Sequence, residues 1–173
     1  MNLAYILLFL FLVLLVLSGL FIVKQQTSAV VERFGRFIAI RKPGLHIKIP
    51  IIDKISGRVS LRILQLDVIV ETKTKDDVFV KLKVSVQYRV VPAKVYEAFY
   101  KLDFPQDQIT SYVFDVVRAV VPKMKLDDVF EKKDDIAVAV KGELNDAMQN
   151  YGFDIIKTLV TDIDPDSQVK DSM

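Results

Sequence analysis

Hydrophobic positions change their rhythm twice along the chain. Residues 3–23 (LAYILLFLFLVLLVLSGLFIV) are apolar almost without a break and carry no charge and no proline. As a helix, these 21 residues would span roughly 31 Å, close to the thickness of a bilayer hydrocarbon core. A helix satisfies its own backbone in lipid. The run therefore predicts a transmembrane helix from Leu3 to Val23, with Leu10 and Leu17 in its body.

After Lys24 the rhythm becomes period two. Ser28–Phe34 and Phe37–Ile40 predict two strands turning at Gly35-Arg36. Apolar residues at 45, 47, 49 and 51 predict an edge strand or loop, because Pro50 cannot serve a central strand. The apolar tip beside basic residues suits either a bilayer interface or ordinary packing. Arg58–Glu71 reads as one long strand whose phase slips at Ile63-Leu64, as a bulge would make it do. Val78–Val90 is the clearest stretch. Every even position is apolar or aromatic, and 81, 83, 85, 87 and 89 are Lys, Lys, Ser, Gln and Arg. One face is buried and the other is wet.

From Pro92 the period becomes helical. Ala93–Lys101 predicts a short helix, and Asp103 and Pro105 open a longer one to Val121, with Ile109, Val113, Val116, Val117 and Val120 on its stripe. Leu126–Phe130 predicts a turn of helix capped by Asp127, and Lys133–Asn150 a further helix closed at Gly152. Phe153–Ile163 reads as a returning strand. Asp164-Pro165 then looks like the cap and first position of a new helix starting at Asp166. Strands, then helices, then a strand give an α+β domain. Its expected bounds are 24–166, β-rich over 24–91 and helical with a returning strand over 92–164, with a helix beginning at 167–173.

Charge adds a location. From Lys24 to Arg62 there are nine Lys or Arg against two acids, although the whole chain has a net charge of only +2. A basic segment beside an apolar helix is what anionic lipid attracts. Lys24, Arg33, Arg36, Arg41, Lys42 and Lys48, with the apolar Ile49 and Ile51, are the candidate lipid-surface residues. No basic side chain precedes the helix. The positive-inside rule then places the N-terminus outside and the domain in the cytoplasm, as a single-pass membrane protein.

Candidate chemistry is sparse. There is no cysteine and one histidine, His46, so disulfides, a thiol nucleophile, a histidine triad and a multi-histidine metal site are excluded. Asp76-Asp77, Asp127-Asp128 and Asp134-Asp135 are chain neighbours that do not face each other, and fit turns and helix starts. Asp162, Asp164 and Asp166 imitate the start of a calcium loop. Ser167 stands where that loop needs glycine, and Met173 where it needs an acid. No glycine-rich phosphate loop and no nucleic-acid recognition pattern occurs. No enzyme, cofactor, metal or nucleic-acid partner is expected.

Six segments carry a resemblance. They are VVERFGRF (Val30–Phe37), KPGLHIKIP (Lys42–Pro50), the stretch Leu61–Val90 with its ETKTKD, AFYKL (Ala98–Leu102), YVFDVVRAVVPK within Tyr112–Ala137, and YGFDIIKTLVTDIDPD (Tyr151–Asp166). Together they resemble the SPFH, or band 7, superfamily of stomatins, prohibitins and flotillins, most of all its hypersensitive-induced-response branch and bacterial relatives. The resemblance implies a non-enzymatic scaffold that forms homo- or hetero-oligomers on a membrane, organises membrane microdomains, and modulates client membrane proteases or channels. A regulatory subunit bound to one such client is the alternative it implies. It brings no catalytic residues. Such proteins continue into a long helix that joins copies, and this chain reaches only its expected first turns by Met173.

Overall fold

The computed structural model describes residues 3–165, and in it the apolar run breaks in two. Helix α1 occupies Leu3–Gly19, and Leu20–Val23 form strand β1. The break has a local cause. The Lys48 N–H donates to the Gly19 carbonyl at 2.8 Å. Strand β1 then pairs antiparallel with β4 (Gly44–Ile47), with Leu20 opposite Ile47 and Val23 opposite Gly44. A strand partner thus takes over the backbone groups that a longer helix would have satisfied itself. Val23, expected at the end of a lipid-embedded span, is only 2% exposed and packs with Phe21, Ala29 and Val31. The predicted span Leu3–Val23 is therefore corrected to a helix of 17 residues. Among the described residues no helix is long and apolar enough to cross a membrane, and the single-pass topology loses its basis.

The chain divides into two units, Met1–Arg62 and Ile63–Met173. The first unit holds α1, the β1–β4 ribbon and a three-stranded antiparallel sheet. In that sheet β2 (Thr27–Arg33) lies between β3 (Arg36–Arg41) and β5 (Asp53–Ser60). The β2–β3 turn falls at Phe34-Gly35, one residue earlier than the sequence suggests. Both residues have positive φ, 48° and 76°, as a type I′ hairpin turn demands.

The second unit is a three-stranded antiparallel sheet in the order β6-β7-β8, with helices over one face. Its strands are β6 (Leu64–Lys73), β7 (Phe79–Val90) and β8 (Phe153–Pro165). The alternation of β7 does what its pattern requires, with Val80, Leu82, Val84, Val86 and Tyr88 all buried. Short helix α2 (Val95–Tyr100) precedes α3 (Pro105–Val120), and α4 (Leu126–Glu131) precedes α5 (Lys133–Met148). The stripe residues Ile109, Val113 and Val117 of α3, and Ile136, Val140, Leu144 and Met148 of α5, complete the core. Among the described residues all five strand pairings are antiparallel, where the α+β reading left open a mixed or an antiparallel sheet.

Three local expectations change. The stretch Arg58–Glu71 is not one strand, because β5 ends at Ser60 in one sheet and β6 begins at Leu64 in another. The phase slip at Ile63-Leu64 marks passage between units rather than a bulge. The start of α4 is met by Asp76, whose carboxylate accepts the Leu126 N–H at 3.1 Å, rather than by the adjacent Asp127. Asp164-Pro165 ends β8 instead of opening a helix, with Asp164 opposite Lys81 and Pro165 opposite Val80. A proline is tolerated there because β8 is an edge strand. The helix expected from Asp166 onward lies outside the described residues.

Candidate membrane-facing site

Strand register gathers one end of the first unit. Arg33 is opposite both Arg36 and Asp53, and Leu20 is opposite Ile47. The end of α1, the Phe34-Gly35 turn and the loop from Lys48 to Ile52 therefore emerge side by side. A continuous chain of polar contacts fixes them. The Lys48 N–H binds the Gly19 carbonyl, and Asp53 and Ile49 are joined twice. The Asp53 N–H donates to the Ile49 carbonyl at 2.9 Å, and the Ile49 N–H donates to the Asp53 carboxylate at 2.9 Å. Arg33 closes the chain with two bonds to that carboxylate, at 2.7 and 3.2 Å. The Arg33 guanidinium, followed by the Ile49 N–H, holds the Asp53 carboxyl below the usual carboxylate range.

Gly19 is required by close approach. A Cβ there would lie 2.5 Å from the Lys48 carbonyl oxygen, which is backbone and cannot swing away. The helix end and the Lys48–Ile52 loop are thus pressed together with no room for any other residue.

What this end presents is apolar. Ile51, at the tip of the loop, is 97% exposed, and Phe34, at the tip of the turn, is 83% exposed. The outer face of the β1–β4 ribbon continues the surface with Leu20, Ile22, Leu45 and Ile47, all exposed. Its inner face carries Phe21 and Val23, with the His46 ring centroid 5.6 Å from that of Phe21. His46 Nε2 lies 2.6 Å from the Lys42 carbonyl oxygen, so that nitrogen carries the proton and donates. The lone histidine has a structural position, in line with its apolar sequence neighbours.

The candidate residues separate into two groups. Arg33, Arg36, Lys48, Ile49 and Ile51 meet at the end described above. Lys24, Arg41 and Lys42 lie at the opposite end of the strands, five residue steps along β3 or roughly 15 Å away. There the Nε of Arg41 is buried without a hydrogen-bond partner among the described residues. Leu10 and Leu17 are exposed on α1, while Val23 is in the core. Gly19, Leu20, Ile22 and Phe34 belong to the site and were not singled out by sequence. Phe34 had a readable signal, a large aromatic beside glycine in a turn flanked by two arginines.

The rest of the chain offers little reactive geometry. Among the described residues no three His, Cys, Asp or Glu side chains gather to hold a metal ion. Asp162 and Asp164 sit opposite Lys83 and Lys81 in the β7–β8 register. Asp76 serves structure, its carboxyl lowered first by the Thr74 hydroxyl.

An α+β chain of antiparallel sheets, an apolar N-terminal helix and an apolar, basic end next to it defines a domain class rather than an active site. The chain belongs to the SPFH domain / Band 7 family, which it matches over residues 21–173. Members of this family are commonly membrane scaffolds and generally non-enzymatic. The chain is similar to hypersensitive-induced response protein 4 of Arabidopsis thaliana, with 49% identity over 152 residues covering 87% of this chain and 52% of that protein. It is similar also to the mitochondrial stomatin-like protein 2 of Homo sapiens, with 30% identity covering 87% of this chain and 42% of that protein. The stomatin-like protein stl-1 of Caenorhabditis elegans matches at 30% identity, with 87% and 46% covered. The chain spans about half the length of the curated relatives it matches.

Proposed function

We propose that this protein is a non-enzymatic membrane scaffold that associates with copies of itself on a bilayer face and so organises neighbouring membrane proteins. The observation that carries the reading is α1. From Tyr5 to Leu17 its large side chains are apolar and almost all exposed. A helix apolar on every side is at home only in an apolar medium. At 17 residues α1 is about 26 Å long, enough to embed deeply in a bilayer. In this reading the end of the first unit rests at the headgroups, where Arg36 and Lys48 meet anionic lipid at roughly 1 kcal/mol per basic residue.

Self-association is supported by family membership and by edges. The second sheet is bounded by β6 and β8, and β6 carries exposed Leu64 and Ile69. A strand edge with unpaired backbone groups is a template for another chain. The reading assigns the microdomain role to the assembled protein, with anionic lipid and a membrane protease or channel as its neighbours.

The test is flotation of the full chain with vesicles after an alkaline wash, followed by crosslinking in native membranes. Retention with the vesicles and a ladder of self-crosslinked species are expected. Release by the wash overturns the embedded anchor. A single dominant heterologous product in place of the ladder overturns the scaffold and leaves a client-bound regulatory subunit.

A further inference from the structure

Phe34 and Ile51 break the same rule at the same place. Both are bulky, apolar and exposed, and both are held at positive φ, 48° and 70°. An L-residue in that region is strained, and a β-branched one most of all, where asparagine or glycine would sit at ease. Neither side chain packs on the protein to offset the strain, so stability of the fold does not explain these residues. Exposed Phe104, at φ 52°, shares this strain elsewhere in the chain, so what sets Phe34 and Ile51 apart is that they stand together.

Their placement says which function. The two tips leave adjacent antiparallel strands, one strand spacing of about 5 Å apart at Arg33 and Asp53. The Arg33–Asp53 ion pair joins the bases of the two turns. The end of α1 reaches the same loop, since a Cβ on Gly19 would also lie 3.5 Å from the Pro50 ring. Exposed Arg36 follows the Phe34 turn directly, and Lys48 precedes the Ile51 tip. Apolar tips flanked by cations, continuous with an apolar helix, match one occupant, the interfacial layer of an anionic bilayer.

We infer that Phe34 and Ile51 are paired insertion points that enter the lipid interface beside α1 and set the depth and tilt of the first unit. The inference rests on the membrane reading above and adds to it a two-point contact away from the helix. Two contacts beside α1 fix the orientation of the helix and the first unit together, which α1 alone leaves open.

The chain has no tryptophan, so Phe34→Trp and Ile51→Trp each introduce a single reporter. Ser60→Trp, at the opposite end of β5, is the reference. The full chain is reconstituted in phosphatidylcholine–phosphatidylglycerol vesicles. At 34 and 51 the emission is expected to shift to the blue, to escape aqueous iodide, and to be quenched by lipids brominated near the headgroup. At 60 it stays red and open to iodide. Equal iodide access at all three positions, in a chain that floats with the vesicles, overturns the inference and leaves the anchor standing. Shielding from iodide without quenching by brominated lipid also overturns it, and assigns the tips to a protein contact. Failure to float removes the anchor, and the inference with it.

A second pair of variants separates strain from lipid contact. Ile51→Asn is placed beside the Phe34→Trp reporter, and Phe34→Asn beside the Ile51→Trp reporter. Each asparagine is expected to raise the thermal midpoint while the remaining reporter loses part of its bromolipid quenching. A gain in stability with unchanged quenching overturns the pairing.

Discussion

The two units differ in the size of the core they build from their hydrophobic residues. The second covers one face of a three-stranded sheet with α3 and α5 and buries Leu82, Val84, Val86, Ile109, Ile136 and Leu144 completely. The first has a thin core around Phe21, Val23, Ala29 and Val31, with Ile55 against it, and leaves Leu20, Ile22, Phe34, Leu45, Ile47 and Ile51 exposed. Apolar groups left in water forgo about 25 cal/mol for every Å² they could have buried. The second unit also leaves Ile69, Phe79, Phe104 and Val138 exposed, whereas in the first the exposed apolar groups gather on the β1–β4 ribbon and the two neighbouring tips. Under the proposed membrane reading, stability and attachment fall to different parts of the chain.

The largest effect is expected where only stability is at stake. Leu82→Ala, in the middle of β7, should cost about 2–5 kcal/mol in denaturant unfolding. Vesicle flotation of the chain should not change, and a parallel loss of flotation would break the division of labour. Next is Gly19→Ala, whose methyl meets the Lys48 carbonyl. Overpacking of this kind costs about 1–3 kcal/mol, and here it should also alter the emission of a tryptophan at position 51. A change in stability with no change at the tip would show that the joint between α1 and the loop does not transmit.

The third test uses pH. Asp53 has its carboxyl lowered by Arg33 and the Ile49 N–H. Its stabilising effect is therefore complete above the unfolded-state value of about 3.9, and is lost as pH falls through the lower folded-state value. The wild-type chain should show a steeper fall in thermal midpoint below about pH 4 than Asp53→Asn, which keeps only the contributions of groups such as Asp67 and Asp76. Parallel curves would remove Asp53 from the account of how the tips are held. The smallest effect is expected for Arg36→Gln, at most about 1 kcal/mol of vesicle binding. That effect should vanish at high salt as the charge is screened, and one that survives high salt would show that Arg36 acts by packing instead.

Much of the second unit was legible because its patterns are local. The strict alternation of Val78–Val90 became β7, the helical stripe Ile109–Val117 became the buried face of α3, and Gly152 closes the helical segment at φ 83°. The misreadings share a different physics. Leu20–Val23 alternates exposed and buried, but all four residues are apolar, so the period-two signal is invisible beside a hydrophobic helix. A change of sheet at Ile63 and a bulge both shift the phase by one, and sequence spacing cannot separate them. Asp76 meets the start of α4 from 50 positions away, a partner no local rule could name. The candidate site at the end of the first unit was half legible. Basic residues and Ile51 stood out by type, but which of them share an end depends on strand register, and register separated Arg36 from Arg41.

Gly19 carries a mechanical consequence. A helix joined to a domain by a flexible linker can lean in its membrane without disturbing what it holds. Here there is no linker, because the last helical carbonyl accepts the Lys48 N–H and no space remains for a Cβ. With a hingeless joint, any change in the direction of α1 is a rotation of the first unit as one rigid piece.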